Sequence, residues 1–190
     1  TPTEVRAYVT GSAIAADRDL IQSATAVESV NALVLSGSVA LAVGGVGVAA
    51  SGAGADAVNK VANRVQSSIA SSTGSHIQID RNVTLTASDT STIVAEVGAA
   101  SVAGAAGVIG VAVSIGVSLA TNDISNEVLA FIQSSQVTTT AGNLTVQAYE
   151  AASITSRATA ASAAASAGLF SASVAGGGAS SVNTITTITR

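Results

Sequence analysis

The sequence has no cysteine, tryptophan or methionine, a single proline, two phenylalanines and two tyrosines. Without cysteine, disulfides, thiolate catalysis and cysteine-bound zinc are all excluded. Hydrophobic residues nevertheless make up 48% of the chain, so its apolar mass consists of Ala, Val, Ile and Leu. Such side chains cannot fill a thick globular core, but small and β-branched residues suit thin, regularly stacked sheets.

Charge is also scarce, at 9% of residues, and the formal net charge is −4. Seven Lys and Arg residues dispersed along the chain cannot neutralise a phosphate backbone. Nucleic acid is therefore not expected as a partner. The first residues, TPTEV, show neither a Met nor a signal peptide, and we interpret the sequence as a piece of a longer protein.

Internal repetition is the most informative feature. The segment DLIQSA at 19–24 returns as NVTLTA at 82–87 and as NLTVQA at 143–148, at offsets of 63 and 61 residues. A second marker has the same offsets and begins at Asn59, Asn122 and Asn183. Two independent markers at one spacing indicate a repeat protein.

The boundaries of the repeats follow from these offsets and from the match of Glu4–Val9 (EVRAYV) with Glu127–Ile132 (EVLAFI). We predict three repeats of roughly 62 residues, within a single β-solenoid unit covering 1–190. Their approximate bounds are 4–64, 65–126 and 127–190.

Local periodicity then favours strands over helices. From Gly110 to Ala120 the residues alternate strictly between large aliphatic and small side chains, which is a period of two. We expect the large residues, among them Val113, Ile115 and Val117, to face the interior. The Gly, Ala and Ser face is then either solvated or allows another sheet to approach unusually closely.

Repeats that cannot bury their own apolar face must stack. We therefore predict an all-β fold, a parallel β-helix or β-solenoid of about three repeats. Equivalent residues would lie about 4.8 Å apart, so Asn59, Asn122 and Asn183 are expected to form an amide ladder. The Ala-rich segment 160–167 occupies the repeat position of Ala99–Ala106, which predicts a strand or a bend there. Each repeat is one wide turn, a stacked hairpin or up to three short turns.

Two uncharged stretches, 32–55 and 97–122, are long enough to cross a bilayer as helices. Against this interpretation, they are rich in Gly, Ala and Ser and lack an aromatic belt and basic flanks. The alternation of large and small residues would also serve no purpose on a helix. Membrane insertion is therefore not the favoured prediction.

Three elements of the sequence carry a resemblance to a known family: GNLTVQA, the stretch AASVAGAAGVIGVAVSIGVSLA, and the run Asn-x-Ile-x-Asn-x-Val-x-Ala-x-Ile. Together they resemble the repeats of giant surface-exposed or secreted adhesins of Gram-negative bacteria, of the filamentous-haemagglutinin-like and leukotoxin-like kinds. The resemblance implies a parallel β-helix stalk at the cell surface or outside the cell, used in attachment or in an extracellular filament or biofilm matrix. It transfers no site residues.

Sites for chemistry are few, and we assign no catalytic, cofactor-binding or metal-ligating residue. His76 is the only histidine and is expected to be structural or exposed. Asp17 and Asp19 indicate a solvated turn or, alternatively, a weak calcium site. The glycines of Gly45–Ala50 indicate a bend or a close sheet contact and not a dinucleotide site.

Two further patterns have a structural interpretation. The sequons at Asn82 and Asn143 are explained by an Asn turn followed by an outward Thr. Tyr8 and Phe131 occupy equivalent repeat positions and are expected to stack.

Three hypotheses for function remain. The first is a structural or adhesive module that associates end to end, or with neighbouring repeats of its parent chain, and that meets a host or cell-surface ligand. The alternative is a membrane-active or pore-forming segment built from the Gly/Ala/Val-rich stretches. A third, an enzyme or sugar-binding protein on a β-helix, requires clustered acids, bases or aromatic rings, and few are available. The sequence therefore predicts no enzyme and no cofactor.

Overall fold

The computed structural model describes residues 1–70 and 76–190, and every regular element within them is a β-strand. The sequence of Ser72–Ser75, STGS, predicts a turn, and this segment lies outside the described residues. The strands are β1 (Thr3–Thr10), β2 (Ile14–Ala16), β3 (Leu20–Val43), β4 (Val46–Val61), β5 (Asn63–Ala70), β6 (His76–Ile79), β7 (Val83–Ala106), β8 (Ile109–Gln133), β9 (Gln136–Thr139), β10 (Leu144–Ala167) and β11 (Phe170–Thr189).

These strands form three parallel sheets. The front sheet contains β3, β7 and β10, with β7 in the centre. The back sheet contains β8 in the centre, with β4 and β5 on one side, β11 on the other, and β1 beyond β5. The short sheet contains β2, β6 and β9. The chain therefore winds through the short, front and back sheets in turn.

One sequence period corresponds to one complete turn of this winding. In the front sheet Leu20 pairs with Val83 and Val83 with Leu144, which reproduces the offsets of 63 and 61 residues. The complete second turn consists of two long strands of 24 and 25 residues and one short strand. The repeat is thus one wide turn, and its cross-section is long and flat.

The predicted all-β solenoid with parallel stacked strands is confirmed. Residues 160–167 lie within β10, so the Ala-rich segment is a strand despite the helix propensity of alanine. The stretches 32–55 and 97–122 form parts of β3, β4, β7 and β8. Within residues 1–70 and 76–190, no helix is long and apolar enough to span a membrane.

The orientation predicted for the large aliphatic residues is wrong. Ala112, Ser114 and Ser118 are 0% exposed, whereas Ile115, Val117 and Leu119 are 53%, 41% and 44% exposed. Val113 is only half-buried. The small residues therefore face the interior and the large ones face outward, because the front and back sheets lie too close together for large side chains between them.

Contacts between the two sheets show how close this approach is. The hydroxyl groups of Ser101 and Ser114 are 2.7 Å apart across the interior, and those of Ser38 and Ser51 repeat the contact one turn earlier. A Cβ atom at Gly116 would lie 2.8 Å from the carbonyl oxygen of Ala161 in the opposite sheet. The second possibility for the small face, a close contact with another sheet, is the one observed.

We call the thin, uncharged half of the turn the blade; it comprises residues 29–55, 97–122 and 158–189. At its tip the chain passes from the front to the back sheet through stacked turns. A Cβ at Gly107 would overlap the carbonyl oxygen of Gly44, so only glycine fits there. Gly47, within the Gly45–Ala50 string, likewise lies against the carbonyl of Ala106.

The opposite end of the turn is thicker because the short sheet separates the two long ones. Large side chains return to the interior here, and the fully buried ones include Ile69, Ile77, Ile79, Val83 and Leu85. Burying such a side chain stabilises a fold by about 1.5–3 kcal/mol. The hydrophobic free energy is therefore concentrated at this end, and the blade is held mainly by backbone ladders and close small contacts.

Two substitutions in β8 test the orientation of this strand. Ser114→Asp places a carboxylate in the closed space between the sheets and should destabilise the protein by at least about 3 kcal/mol. Ile115→Asp changes an outward residue and should cost within about 1 kcal/mol. Thermal and urea unfolding of both variants measures the difference. A larger loss for Ile115→Asp would show that the orientation described here is reversed.

Candidate functional site

A column of carboxamides runs through the three turns on the interior side of the back sheet. Asn59 donates through Nδ2 to Oδ1 of Asn122 at 2.8 Å, and Asn122 donates in the same way to Asn183 at 2.8 Å. The residues are Cα partners in adjacent strands, so each amide lies above its equivalent. The predicted amide ladder is confirmed.

A second polar group, the carboxylate cluster, is buried where the back sheet faces the front sheet. Its centre is Asp89, which is 0% exposed. Asp89 accepts hydrogen bonds from Asn63 Nδ2 at 2.8 Å, from Asn126 Nδ2 at 2.8 Å and from Ser91 Oγ at 2.6 Å. This carboxylate therefore links β5, β7 and β8.

Glu150 lies directly beside Asp89 in the next turn, and the two are Cα partners. Asn126 Nδ2 also donates to Glu150 Oε1 at 3.1 Å, whereas Oε2 is buried without a partner among the described residues. Burial raises the pKa of the Glu150 carboxyl; the hydrogen bond from Asn126 opposes this shift, and the neighbouring Asp89 adds to it. Two acidic groups in one small space favour a proton on Glu150.

This arrangement fits a structural role better than a metal or catalytic one. The oxygens of Asp89 already accept from three fixed N–H and O–H donors, which occupy three of their roughly four acceptor positions. Within residues 1–70 and 76–190, no group of three or more His, Cys, Asp or Glu side chains is placed to hold a metal. The cluster joins the two long sheets and successive turns.

An open cleft of about 640 Å³ reaches this cluster from the first turn. Asn63, Asn126 and Glu28 contribute to its walls, together with the N-terminal residues Thr1–Thr3. Arg64 lies 3.1 Å from Glu127 at its surface, close enough for an ion pair but without hydrogen-bond alignment at Nε. No aromatic ring is among the lining residues, so the stacking contact typical of carbohydrate sites is not provided here.

The residues singled out from the sequence are dispersed. His76 is exposed at the start of β6, next to Gln136. Asp17 and Asp19 are exposed, and Asp19 accepts from the backbone N–H and side chain of Asn82. The backbone bond from Asn82 lowers the pKa of Asp19. Asp19 thus belongs to a turn ladder, as the first of the two interpretations expects.

The two sequons continue the same turn ladder. Asn82 Oδ1 accepts from the backbone N–H of Asn143 at 3.0 Å, and Thr84 and Thr145 follow on the outward side of their strands.

The expected stack of Tyr8 and Phe131 is wrong. Both pair with Ser68, which lies between them, because a separation of 123 residues is two turns and not one.

Sequence reasoning missed Asp89, Ser91 and Glu150. One signal was available: Asp89 has the same parity as Leu85 and Ala87 in an alternating strand, and Glu150 follows it by one period of 61 residues. A charged residue at an inward position in two consecutive repeats indicates a buried polar site.

Comparison with protein-family models, curated proteins and solved structures gives no match for this chain.

Removing the central carboxylate tests its structural role. Asp89→Ala leaves the Asn63 and Asn126 amides and the Ser91 hydroxyl without their acceptor, although alanine is tolerated at the equivalent Ala26. The expected loss is about 3–5 kcal/mol in urea unfolding. Asp56→Ala, at an exposed position in β4, is the control and should have little effect. Equal stability of the two variants would contradict the role given to the cluster.

The raised pKa of Glu150 predicts a pH dependence of stability. The folded chain retains this proton at pH values where the unfolded chain has lost it. The stabilisation is complete below the ordinary Glu pKa of about 4.3 and is lost as the pH rises through the raised value. In Glu150→Gln the free energy of unfolding should therefore fall less as the pH rises, and this variant should be more stable than the parent at pH 7.

Urea midpoints between pH 3.5 and 8 measure this effect, with the exposed Glu96→Gln as the control. Identical pH profiles for the parent and Glu150→Gln would contradict it.

Proposed function

We propose that this chain is a structural and adhesive module of an extracellular or bacterial cell-surface repeat protein, and that it builds a rod or filament by stacking β-repeats. The observation that supports this most is the continuity of the stacking. All three sheets keep the same partners in the same order from turn to turn, and the Asn ladder passes through all three turns. Such a structure extends by adding turns without any change of geometry.

The two ends offer complementary groups for this extension. Each end of the solenoid has strands with one unpaired edge. These strands are β3 and β4 in the first turn and β10 and β11 in the last turn. Asn59 donates toward the second turn, so its amide oxygen is directed to the opposite side; Asn183 accepts from the second turn, so its NH₂ group is directed outward. A second copy stacked end to end would place this donor beside that acceptor and continue the ladder.

The register of the chain ends sets one condition on such stacking. Thr3 pairs with Asn63, and Thr187 pairs with Asn126, which is the equivalent of Asn63 one turn later. Residues 3–6 of one copy and 187–190 of the next therefore compete for the same position. Stacking in continuous register requires one of these four-residue segments to move aside, and the rest of each strand remains available for pairing.

A specific observation also favours the alternative, a membrane-active segment. The blade carries no charge, and both of its outer faces expose large aliphatic residues, among them Leu41 on the front sheet and Val48 on the back sheet. Exposed apolar surfaces of this kind mark interaction sites for proteins or membranes. Phe170 is the one aromatic residue of the blade, and the blade ranges of the first two turns are bordered by the acidic residues Glu28, Asp56, Glu96 and Asp123 and not by basic ones, which makes this the second candidate. A chain that stays soluble without detergent supports the structural role.

Proline substitutions at the free edge of the last turn test end-to-end stacking. The backbone N–H groups of Phe170 and Arg190 bond to β8, so in β11 the even-numbered residues face β8 and Ala179 faces the free edge. The carbonyl groups of Asn143 and Ala167 accept from Val83 and Gly107, so the backbone groups of the odd-numbered residues of β10 face β7. The backbone groups of Ala152 therefore face the free edge of β10. The double variant Ala152→Pro/Ala179→Pro, called the edge variant, removes two free donors and breaks no internal bond.

The 190-residue parent should grow with concentration in light scattering and form rods in electron microscopy, and the edge variant should lose this open-ended growth while keeping its circular dichroism spectrum. Ala172→Pro is the matched control, because its N–H faces β8 and its loss should weaken the fold. Ser153→Lys/Ser180→Lys, at exposed outward positions of the same two edge strands, provides a second edge variant if the prolines disturb folding, because lysines oppose pairing at a sheet edge. A parent that shows no concentration-dependent growth would refute end-to-end assembly and leave only a passive stalk.

A further inference from the structure

The outer face of the front sheet within the blade forms an uncharged apolar surface, here called the front patch. It consists of every second residue of 35–43 in β3, 98–106 in β7 and 159–167 in β10, and these ranges contain no charged residue. Leu35, Val39, Leu41 and Val43 are 71%, 71%, 77% and 87% exposed. A surface with so many exposed aliphatic residues indicates an interface.

The front patch has relief. The first turn presents Leu35 and Leu41 as a ridge, and their Cδ2 atoms lean over Gly98 and Gly104 in the second turn, each 2.8 Å from where a Cβ would stand. In the third turn the corresponding positions are Thr159 and Ala165, so this side of the patch is low. A shallow apolar depression bounded by Leu41, Gly104 and Ala165 lies along the step.

We propose that a second copy of this chain packs on the front patch, as a closed pair related by a two-fold axis parallel to the strands. This axis places the first turn of each copy opposite the third turn of the other. Each set of equivalent residues in successive turns, here called a column, faces the same column of the second copy. The ridge of each copy therefore enters the low side of the other. Leu41 meets Ala165 of the second copy, and the contact occurs twice. A two-fold axis along the stacking direction would set ridge against ridge and leave both low sides empty.

The dimensions are those of a stable pair. From the strand rise and spacing, the front patch measures roughly 30 by 14 Å, about 430 Å², and the whole front face measures about 1,100 Å². A standard interface buries about 800 Å² per partner, with an apolar centre and a polar rim. The remainder of the front face supplies such a rim, since its outward residues in β7 include Thr86, Ser88 and Thr90.

Charge at the border of the front patch is compatible with this pairing. Glu96 and Arg157 are Cα partners at the next outward column. The two-fold axis brings the Glu96 residues of both copies together, flanked by both Arg157 residues, so the four charges sum to zero. Opposite charges placed in this way fix the register of an interface.

The same features favour a second copy over a lipid surface. The front patch has neither the aromatic residues nor the cationic border that bind headgroups, and its relief matches itself and not a flat bilayer. The outer face of the back sheet lacks this match in its middle part: Ile115 and Val117 of the central turn lie between glycines of the first and third turns, Gly52 and Gly54 on one side and Gly176 and Gly178 on the other. A two-fold pair there would oppose ridge to ridge.

The pair is tested in the edge variant, in which open-ended stacking is blocked, so that it can be separated from the proposed function. Sedimentation equilibrium should show a monomer–dimer equilibrium. Leu41→Lys should raise the dissociation constant at least about tenfold, because it buries a charge in the apolar centre. Val58→Lys, an equally exposed position of the first turn on the back sheet, is the control and should leave the constant unchanged.

A single cysteine in this otherwise cysteine-free chain identifies the axis. Val102 lies in the central turn, on the two-fold axis, whereas end-to-end stacking never brings two central turns together. Val102→Cys should therefore cross-link to a dimer with a short bis-maleimide, and Val117→Cys, of similar exposure on the back sheet, should not.

An edge variant that is monomeric at all concentrations, or equal cross-linking at both positions, would overturn the pair even if the parent forms rods. Flotation of a monomeric edge variant with phosphatidylcholine vesicles that is lost in Leu41→Lys and kept in Val58→Lys would assign the front patch to lipid and overturn the pair as well. Pairing in the edge variant together with a parent that never forms rods would refute end-to-end assembly and support the pair.

Discussion

The close approach of the two long sheets determines the rest of this structure. Over most of the blade the side chains between them are hydrogen, methyl and hydroxymethyl groups, as the contact of Gly116 with the Ala161 carbonyl and the Ser101–Ser114 pair show. Larger residues, Val97 and Asn122, are buried only near its inner border. Small side chains bury little apolar area, so each contributes only a fraction of what a buried leucine does. Stability in the blade comes instead from continuous parallel ladders, in which each backbone group of the central strands is paired.

A core of nearly identical alanine and serine columns specifies register weakly, because a slip of two residues would place one small side chain where another had been. The polar columns remove this ambiguity. The amides of Asn59, Asn122 and Asn183 find partners only in the observed register, and Asp89 finds its donors only when β5, β7 and β8 are aligned as they are. Buried polar groups that fix register at some cost in stability are known from other folds.

The same approach of the sheets sends the large aliphatic residues outward. A two-layer fold usually buries its large residues and exposes its polar ones, but here the order is reversed within the blade. The exposed ridge of Leu35 and Leu41 and the low surface of Ala165 follow directly from this reversal. The proposed contacts with other copies therefore use broad apolar faces and sheet edges, and the buried carboxylate cluster joins the sheets of one chain.

The repeat length, the strand period and the amide ladder were determined by the sequence alone, because each is a spacing along one chain and parallel stacking preserves such spacings. Which of the two alternating faces is buried was decided only by the tertiary structure. Alternation at Gly110–Ala120 defines two faces but does not say which lies opposite another sheet. Asp89 and Asn63 are 26 residues apart and meet only because the turn folds flat. Tyr8 and Phe131 occupy equivalent positions of the repeat yet are separated by Ser68. Equivalence in the sequence does not show how many turns lie between two residues.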